Sequence, residues 1–241
     1  MKSSRREERP SNKLQYPVKA SIAMARKAVV SPFGYLPLYN LLSAFAWGYI
    51  LYSVVSIYPK VGQPHFYEET KKTVTYVQCG AIIEIINSAL GIVRSPLLTT
   101  FAQVASRLMI VLGIFEGLPQ TPAAHTMVYV TLLSAWSATE VVRYMFYFYS
   151  LCAKEGPSIL LTFLRYNLFW VLYPLGVASE LLIVYSALPL AESNYGAVYK
   201  WFLVASMLAY IPGFPVLFGH MVTQRKKVMK GLRNGSQAKK Q

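Results

Sequence analysis

Six apolar segments, at residues 36–57, 74–93, 97–115, 126–151, 160–188 and 198–218, follow one another with only short polar connections. Each is close to the ~20 residues that an α-helix needs to cross the hydrocarbon core of a bilayer. In that medium the backbone must satisfy its own hydrogen bonds, and an uninterrupted apolar run does so as a helix. The expected fold is therefore all-α: a polytopic membrane protein, a bundle of six transmembrane helices. The bundle occupies residues 32–221, between a basic cytosolic tail at 1–31 and a second at 222–241. Residues 22–30 have the composition of a short interfacial helix.

Charge supports this reading. Only 14% of the 241 residues are charged, 54% are hydrophobic, and Asp is absent, so all ten acids are Glu. A soluble domain carries about 25% charged residues to cover its surface. The net charge is +14, and 15 of the 24 Lys and Arg lie within residues 1–27 and 225–240. A nucleic-acid-binding protein would line a folded surface with such charge instead of flanking apolar spans with it, so no nucleic-acid partner is expected. The basic ends are expected to hold both termini in the cytosol and to attract anionic membrane lipid.

Loop charge sets the remaining topology. Residues 116–125 and 189–197 contain no Lys or Arg and are expected in the lumen, whereas the turns at 94–96 and 152–158 carry Arg94 and Lys154 and are expected in the cytosol. The loop at 58–73 runs against the pattern with Lys60, Lys71 and Lys72. No hydrophobic stretch with a cleavage site follows the first basic residues closely, so the first span is expected to act as the targeting signal. Cys79 and Cys152 form neither a disulfide framework nor a metal-ligand spacing, and no metal or cofactor is expected.

Several ionisable side chains fall inside the spans, where they are costly unless paired or used. Glu84 and Arg107 lie at similar depth on consecutive spans and are expected to pair. Glu140 and Arg143 are one turn apart and can pair locally. All four read first as structural glue within the bundle. Arg94, Lys154 and Arg165 stand near the cytosolic boundary, where they either snorkel to the interface or bind an anionic substrate group.

Tyr173 and Glu180 differ from these. They are one heptad apart, so a helix returns them to nearly the same face after ~10 Å, pointing into one cavity. No basic residue sits one turn from Glu180, and an unpaired membrane carboxyl is suited to proton transfer near neutral pH. Pro174 and Gly176 would loosen the helix between the two and widen a pocket.

The same residues carry a family likeness. Tyr39-Asn40 and Trp47-Gly48-Tyr49 lie in the first span, and Glu84 with Gly91-Ile92-Val93-Arg94-Ser95-Pro96 closes the second. Gln103-Val104-Ala105-Ser106-Arg107 follows, then Trp136-Ser137-Ala138-Thr139-Glu140 with Arg143-Tyr144. Leu164-Arg165-Tyr166, Tyr173-Pro174-x-Gly176-x-x-Ser179-Glu180 and Ala187-Leu188-Pro189 form the strongest block. Tyr210-Ile211-Pro212-Gly213 and Gln224-Arg225-Lys226-Lys227 complete the series. In these blocks the chain resembles the very-long-chain (3R)-3-hydroxyacyl-CoA dehydratases of the endoplasmic reticulum membrane, once described as protein-tyrosine-phosphatase-like proteins.

The resemblance implies a lyase that dehydrates 3-hydroxyacyl-CoA to trans-2-enoyl-CoA, the third step of fatty-acid elongation. It implies Tyr173 and Glu180 as the catalytic pair, and an elongase and the elongation-cycle reductases as partners. One feature departs from it. A Lys-Lys-x-x retrieval signal wants lysines third and fourth from the end, and here Lys239 and Lys240 stand third and second. A non-catalytic elongase-binding scaffold and a small transporter are the competing classes. Intact Tyr173 and Glu180 argue against the first, and the lack of internal repeats against the second.

Phosphatase chemistry is excluded on spacing. A cysteine phosphatase needs Cys-x5-Arg, and the sixth residue after Cys79 is Ile85, after Cys152 Ser158. For dehydration, one group takes the C2 proton while another serves the leaving oxygen at C3. Glu180 as base and Tyr173 as donor fits, and the reverse is also physically allowed. If span five enters the membrane near Leu160, Tyr173 lies ~20 Å deep and Glu180 ~30 Å deep. Arg94, Lys154 and Arg165 would then ring the mouth and meet the CoA phosphates, with the acyl chain in an apolar tunnel between helices.

Overall fold

The computed structural model describes residues 30–238, and among them all regular structure is helical. The N-terminal tail before residue 30, with the interfacial segment ahead of it, and Lys239 and Lys240 lie outside the described residues. Helix α1 runs over Tyr35–Val61, with Pro37 in its first turn and a wider π-type turn at Ser53–Ile57. Helices α2 (His65–Cys79) and α3 (Ile82–Ala89) follow, then α4 (Leu97–Glu116), whose Met109–Glu116 half is again π-wound. A short 3₁₀ turn at Pro122–His125 leads into α5 (Met127–Cys152), capped by Thr126 through its hydroxyl. Helices α6 (Ile159–Asn167), α7 (Phe169–Tyr195) and α8 (Ala197–Ala238) complete the chain.

Helix α5 is the centre of the bundle. It packs between α1 and α7, and α8 lies against α7. Tyr129, Val130, Leu132, Leu133, Ala135, Trp136 and Ser137 are all buried, so α5 is enclosed around most of its circumference. A helix surrounded by protein can carry polar groups that a lipid-facing helix cannot. The outer helices show the opposite pattern. On α8, Val198, Trp201, Phe202, Ile211 and Val216 face outward. A soluble protein would bury such side chains, whereas lipid tails accept them.

Hydrogen bonds mark the two ends of the bundle. Val30 N–H bonds the Leu151 carbonyl (3.1 Å), and Arg225 Nε donates to Asn167 Oδ1 (2.7 Å), so those residues share one end. At the other, the Tyr195 hydroxyl donates to the Gly117 carbonyl at 3.2 Å and Tyr58 meets Met127. Arg94, which precedes α4 at the end opposite Glu116, therefore lies at the Leu151–Asn167 end with Lys154.

Among the described residues four helices are long and apolar enough to cross a membrane: Tyr35–Val61, Leu97–Glu116, Phe169–Tyr195 and Ala197–Arg233. The other two expected spans differ for separate reasons. Residues 74–93 are broken at Gly80–Ala81 into α2 and α3, neither of which reaches membrane length. Helix α5 is long enough, but Thr131, Ser134, Ser137, Glu140 and Arg143 dilute its apolar character. The expected run at 160–188 is also interrupted, because α6 ends at Asn167 and α7 begins at Phe169. There the Asn167 amide turns back onto the Phe163 carbonyl (2.8 Å), and such bonds compete with the helix's own ladder.

Two segments expected as loops are helical. At 189–197, α7 continues to Tyr195 through Pro189, which removes one backbone bond and crowds the carbonyl four residues before it. The reversal then rests on Gly196 alone, at φ 82°, a conformation that side chains other than glycine's disfavour. At 58–73, α1 and α2 fill most of the segment and meet at Gly62, φ 64°.

Candidate active site

On α7 the buried residues are Gly176, Ser179, Glu180, Ile183, Val184, Ala187 and Ala191, a stripe at three- and four-residue spacing. That stripe packs on α5. Gly176 lies over Ala135, and the Ser179 and Thr131 hydroxyls bond at 2.9 Å. Small and hydroxylic residues let two helices approach closely in an apolar medium. The approach carries Glu180 against Trp136, whose Nε1–H donates to Glu180 Oε1 at 2.8 Å. From α8, the Tyr210 hydroxyl donates to Oε2 at 2.5 Å. Glu180 is 7% exposed and has no salt-bridge partner among the described residues.

Tyr173 is half-buried seven residues earlier and turns toward α8. Its ring stacks on Phe214, centroids 5.0 Å apart at 13°, with Phe218 behind at 6.3 Å. Its hydroxyl makes no hydrogen bond among the described residues and is free to meet a ligand. Between α7 and α8 lies a groove of about 330 Å³, lined by Pro174, Val177, Ala178, Leu181, Met207, Tyr210, Ile211 and Phe214. Tyr173 and Glu180 are not themselves in that lining. Each touches a wall residue, Phe214 and Tyr210 respectively, so they flank the groove and do not point together into it.

The charged side chains form one connected group in a different pairing from the expected one. Glu84 does not meet Arg107. It accepts from Arg143 NH1 and NH2 (2.8 and 2.6 Å) and from the Tyr144 hydroxyl. Arg107 bonds Glu140 Oε1, and Arg143 Nε takes Glu140 Oε2 at 2.6 Å, which is the expected local pair. Equal depth on two helices does not fix the faces they present, and the break at Gly80–Ala81 lets α3 present Glu84 to α5. Two carboxylates and two guanidiniums make the quartet neutral, and its member Arg107 is also attracted electrostatically to Glu180. Its last member, Arg107, lies over the Trp136 ring at 5.3 Å and so abuts the indole that holds Glu180.

A family model, "Protein tyrosine phosphatase-like protein, PTPLA", matches residues 78–231, a range that takes in every residue of this arrangement. The chain belongs to that family. A PTPLA relative in Caenorhabditis elegans, named very-long-chain (3R)-3-hydroxyacyl-CoA dehydratase hpo-8, is 39% identical over 82% of this chain and 95% of its own. The rice dehydratase PASTICCINO 2B is 34% identical over 81% of this chain and 92% of its own. The human very-long-chain (3R)-3-hydroxyacyl-CoA dehydratase 2 is 34% identical over 81% and 80%. No solved structure matches the chain.

Within this PTPLA chain, the word phosphatase finds no support in the cysteines, which lie on α2 and α5 with no Cys-x5-Arg loop. Arg94 and Lys154 are exposed and Arg165 is half-buried, its guanidinium 5.8 Å from the Tyr147 ring. Because α7 starts at Phe169, Glu180 lies about 16 Å along that helix and Tyr173 about 6 Å. Trp136 and Tyr210 were legible only as members of quoted blocks. Trp136 does stand four residues before Glu140 on one helix face, but nothing in the sequence shows that Glu180 lies opposite.

Proposed function

We propose that this chain dehydrates (3R)-3-hydroxyacyl-CoA to trans-2-enoyl-CoA, the third step of very-long-chain fatty-acid elongation, with Tyr173 and Glu180 as its catalytic pair. The observation that carries the reading is a buried carboxylate with no salt-bridge partner among the described residues, held beside an apolar groove that is also flanked by a phenol with no hydrogen bond among them. A carboxylate can accept a proton from a bound substrate, and the groove suits a hydrocarbon chain.

In this scheme Glu180 takes the C2 proton, whose acidity comes from the thioester carbonyl. The C2–H electron pair forms the C2–C3 double bond, the C3–O bond breaks, and the Tyr173 phenol delivers its proton to the departing oxygen, which leaves as water. Return of the proton from Glu180 to the phenolate restores the starting state. The acyl chain lies in the groove between α7 and α8. The CoA phosphates stay outside the membrane near Arg94, Lys154 and Arg165, at the end of the bundle where α6 and the basic part of α8 meet.

Six crossings of the endoplasmic reticulum membrane, with both termini cytosolic, complete the proposal. The α2–α3 pair and α5 would supply the two crossings beyond the four apolar helices, shielded by their neighbours. A bundle domain at 32–221 would lie between basic ends, and the elongase and elongation-cycle reductases would be its partners. The deciding experiment follows enoyl-CoA formation from a long-chain (3R)-3-hydroxyacyl-CoA by the purified protein, its Tyr173→Phe variant and its Glu180→Gln variant. Turnover by the parent and loss of about 10²–10⁴ in kcat in both folded variants is expected. Undiminished turnover in either variant would remove that residue from the pair.

A further inference from the structure

A carboxylate is an acceptor at both oxygens, and its terminal torsion is broad unless something holds it. Here one donor reaches each oxygen, and the donors come from different helices. Trp136 on α5 holds Oε1, and because an indole N–H only donates, that oxygen is fixed as an acceptor. Tyr210 on α8 holds Oε2 and also forms part of the groove wall. Rotating the carboxylate would break both bonds. The indole is itself immobilised, edge-on against Trp47 at 6.5 Å and beneath the Arg107 guanidinium, which Glu140 anchors in turn.

We infer that Trp136 and Tyr210 are positioning residues for Glu180: together, one donor on each oxygen, they set the plane of its carboxylate beside the groove whose wall Tyr210 forms. Neither touches the reacting atoms, and both act through Glu180. This rests on the dehydratase reading above and adds to it the parts that aim the base. The charged quartet then has a second use beyond binding helices together, because it fixes the guanidinium against which the indole is seated.

The test uses the full chain in detergent with a long-chain (3R)-3-hydroxyacyl-CoA, comparing the parent with Tyr210→Phe, Trp136→Phe and Glu180→Gln. Tyr210→Phe deletes one oxygen and keeps the ring. It should lower kcat about 10- to 100-fold while KM stays within about twofold and the thermal midpoint holds. A second measurement needs no turnover. The infrared difference between the parent and Glu180→Gln isolates the Glu180 carboxyl band, and that band should shift in Tyr210→Phe and in Trp136→Phe as each loses one donor. Parent activity with an unshifted band, or with both variants as fast as the parent, overturns the clamp and leaves the dehydratase reading standing. Bands shifted in both variants of a parent that forms no enoyl-CoA support the clamp and overturn the reaction.

Discussion

Arg143 donates to both oxygens of Glu84, 59 residues away in sequence, while its Nε holds Glu140 on its own helix. One guanidinium thus ties α3 to α5 and shares Glu140 with Arg107. Removing it leaves two carboxylates facing one cation in a site where charge is poorly solvated. Arg143→Met should cost about 3–5 kcal/mol, read as a fall in the thermal midpoint in detergent. Adding Glu84→Gln restores neutrality and should recover part of that loss. A double variant no more stable than Arg143→Met would show that charge balance does not hold the quartet.

The stack of Tyr173 on Phe214 is the other arm of the site. Since the phenol has no hydrogen bond among the described residues, the ring's orientation depends on Phe214 and Phe218. Phe214→Leu keeps the wall apolar but removes the flat partner. It should lower kcat several-fold, up to about tenfold, with little change in stability, because an aromatic pair contributes only about 1 kcal/mol. Unchanged kcat would mean that bound substrate orients Tyr173 instead.

The groove gives a prediction in substrate length. Ala178 is a small, exposed member of its lining. Ala178→Phe should fill the space and lower kcat/KM for long-chain 3-hydroxyacyl-CoA about tenfold, leaving 3-hydroxybutyryl-CoA within about twofold. Equal losses on both would place the acyl chain elsewhere.

The basic end gives one in KM. Replacing Arg94, Lys154 and Arg165 together with Gln should raise KM for acyl-CoA and flatten its dependence on salt, with kcat nearly constant. If KM and its salt dependence both stay as they were, the nucleotide phosphates dock away from these side chains.

Apolar length and charge placement made the all-helical membrane class readable, because both are properties of stretches of chain. What stayed hidden depends on rotation and on breaks. Glu84 and Arg107 have matching depth, yet the turn at Gly80–Ala81 presents Glu84 to Arg143. Pro189 looks like the start of a loop, but a helix tolerates it and turns only at Gly196. Tyr173 and Glu180 stood out through their spacing and isolation from basic residues. Trp136 and Tyr210 carry no such signal, since a buried indole or phenol reads as packing until the opposite helix is in place.

The stretch of α8 from Ala197 to Arg233 is 37 residues, about 55 Å, against a hydrocarbon thickness of about 30 Å. Even a strongly tilted crossing leaves several turns beyond the bilayer, and those turns carry Arg225, Lys226, Lys227, Lys230 and Arg233. The membrane-spanning rod and its projecting stalk are one continuous piece of secondary structure. Whatever grips the stalk therefore holds the far end of the helix that carries Tyr210 and Phe214, with Pro212 and Pro215 standing between that end and Tyr210.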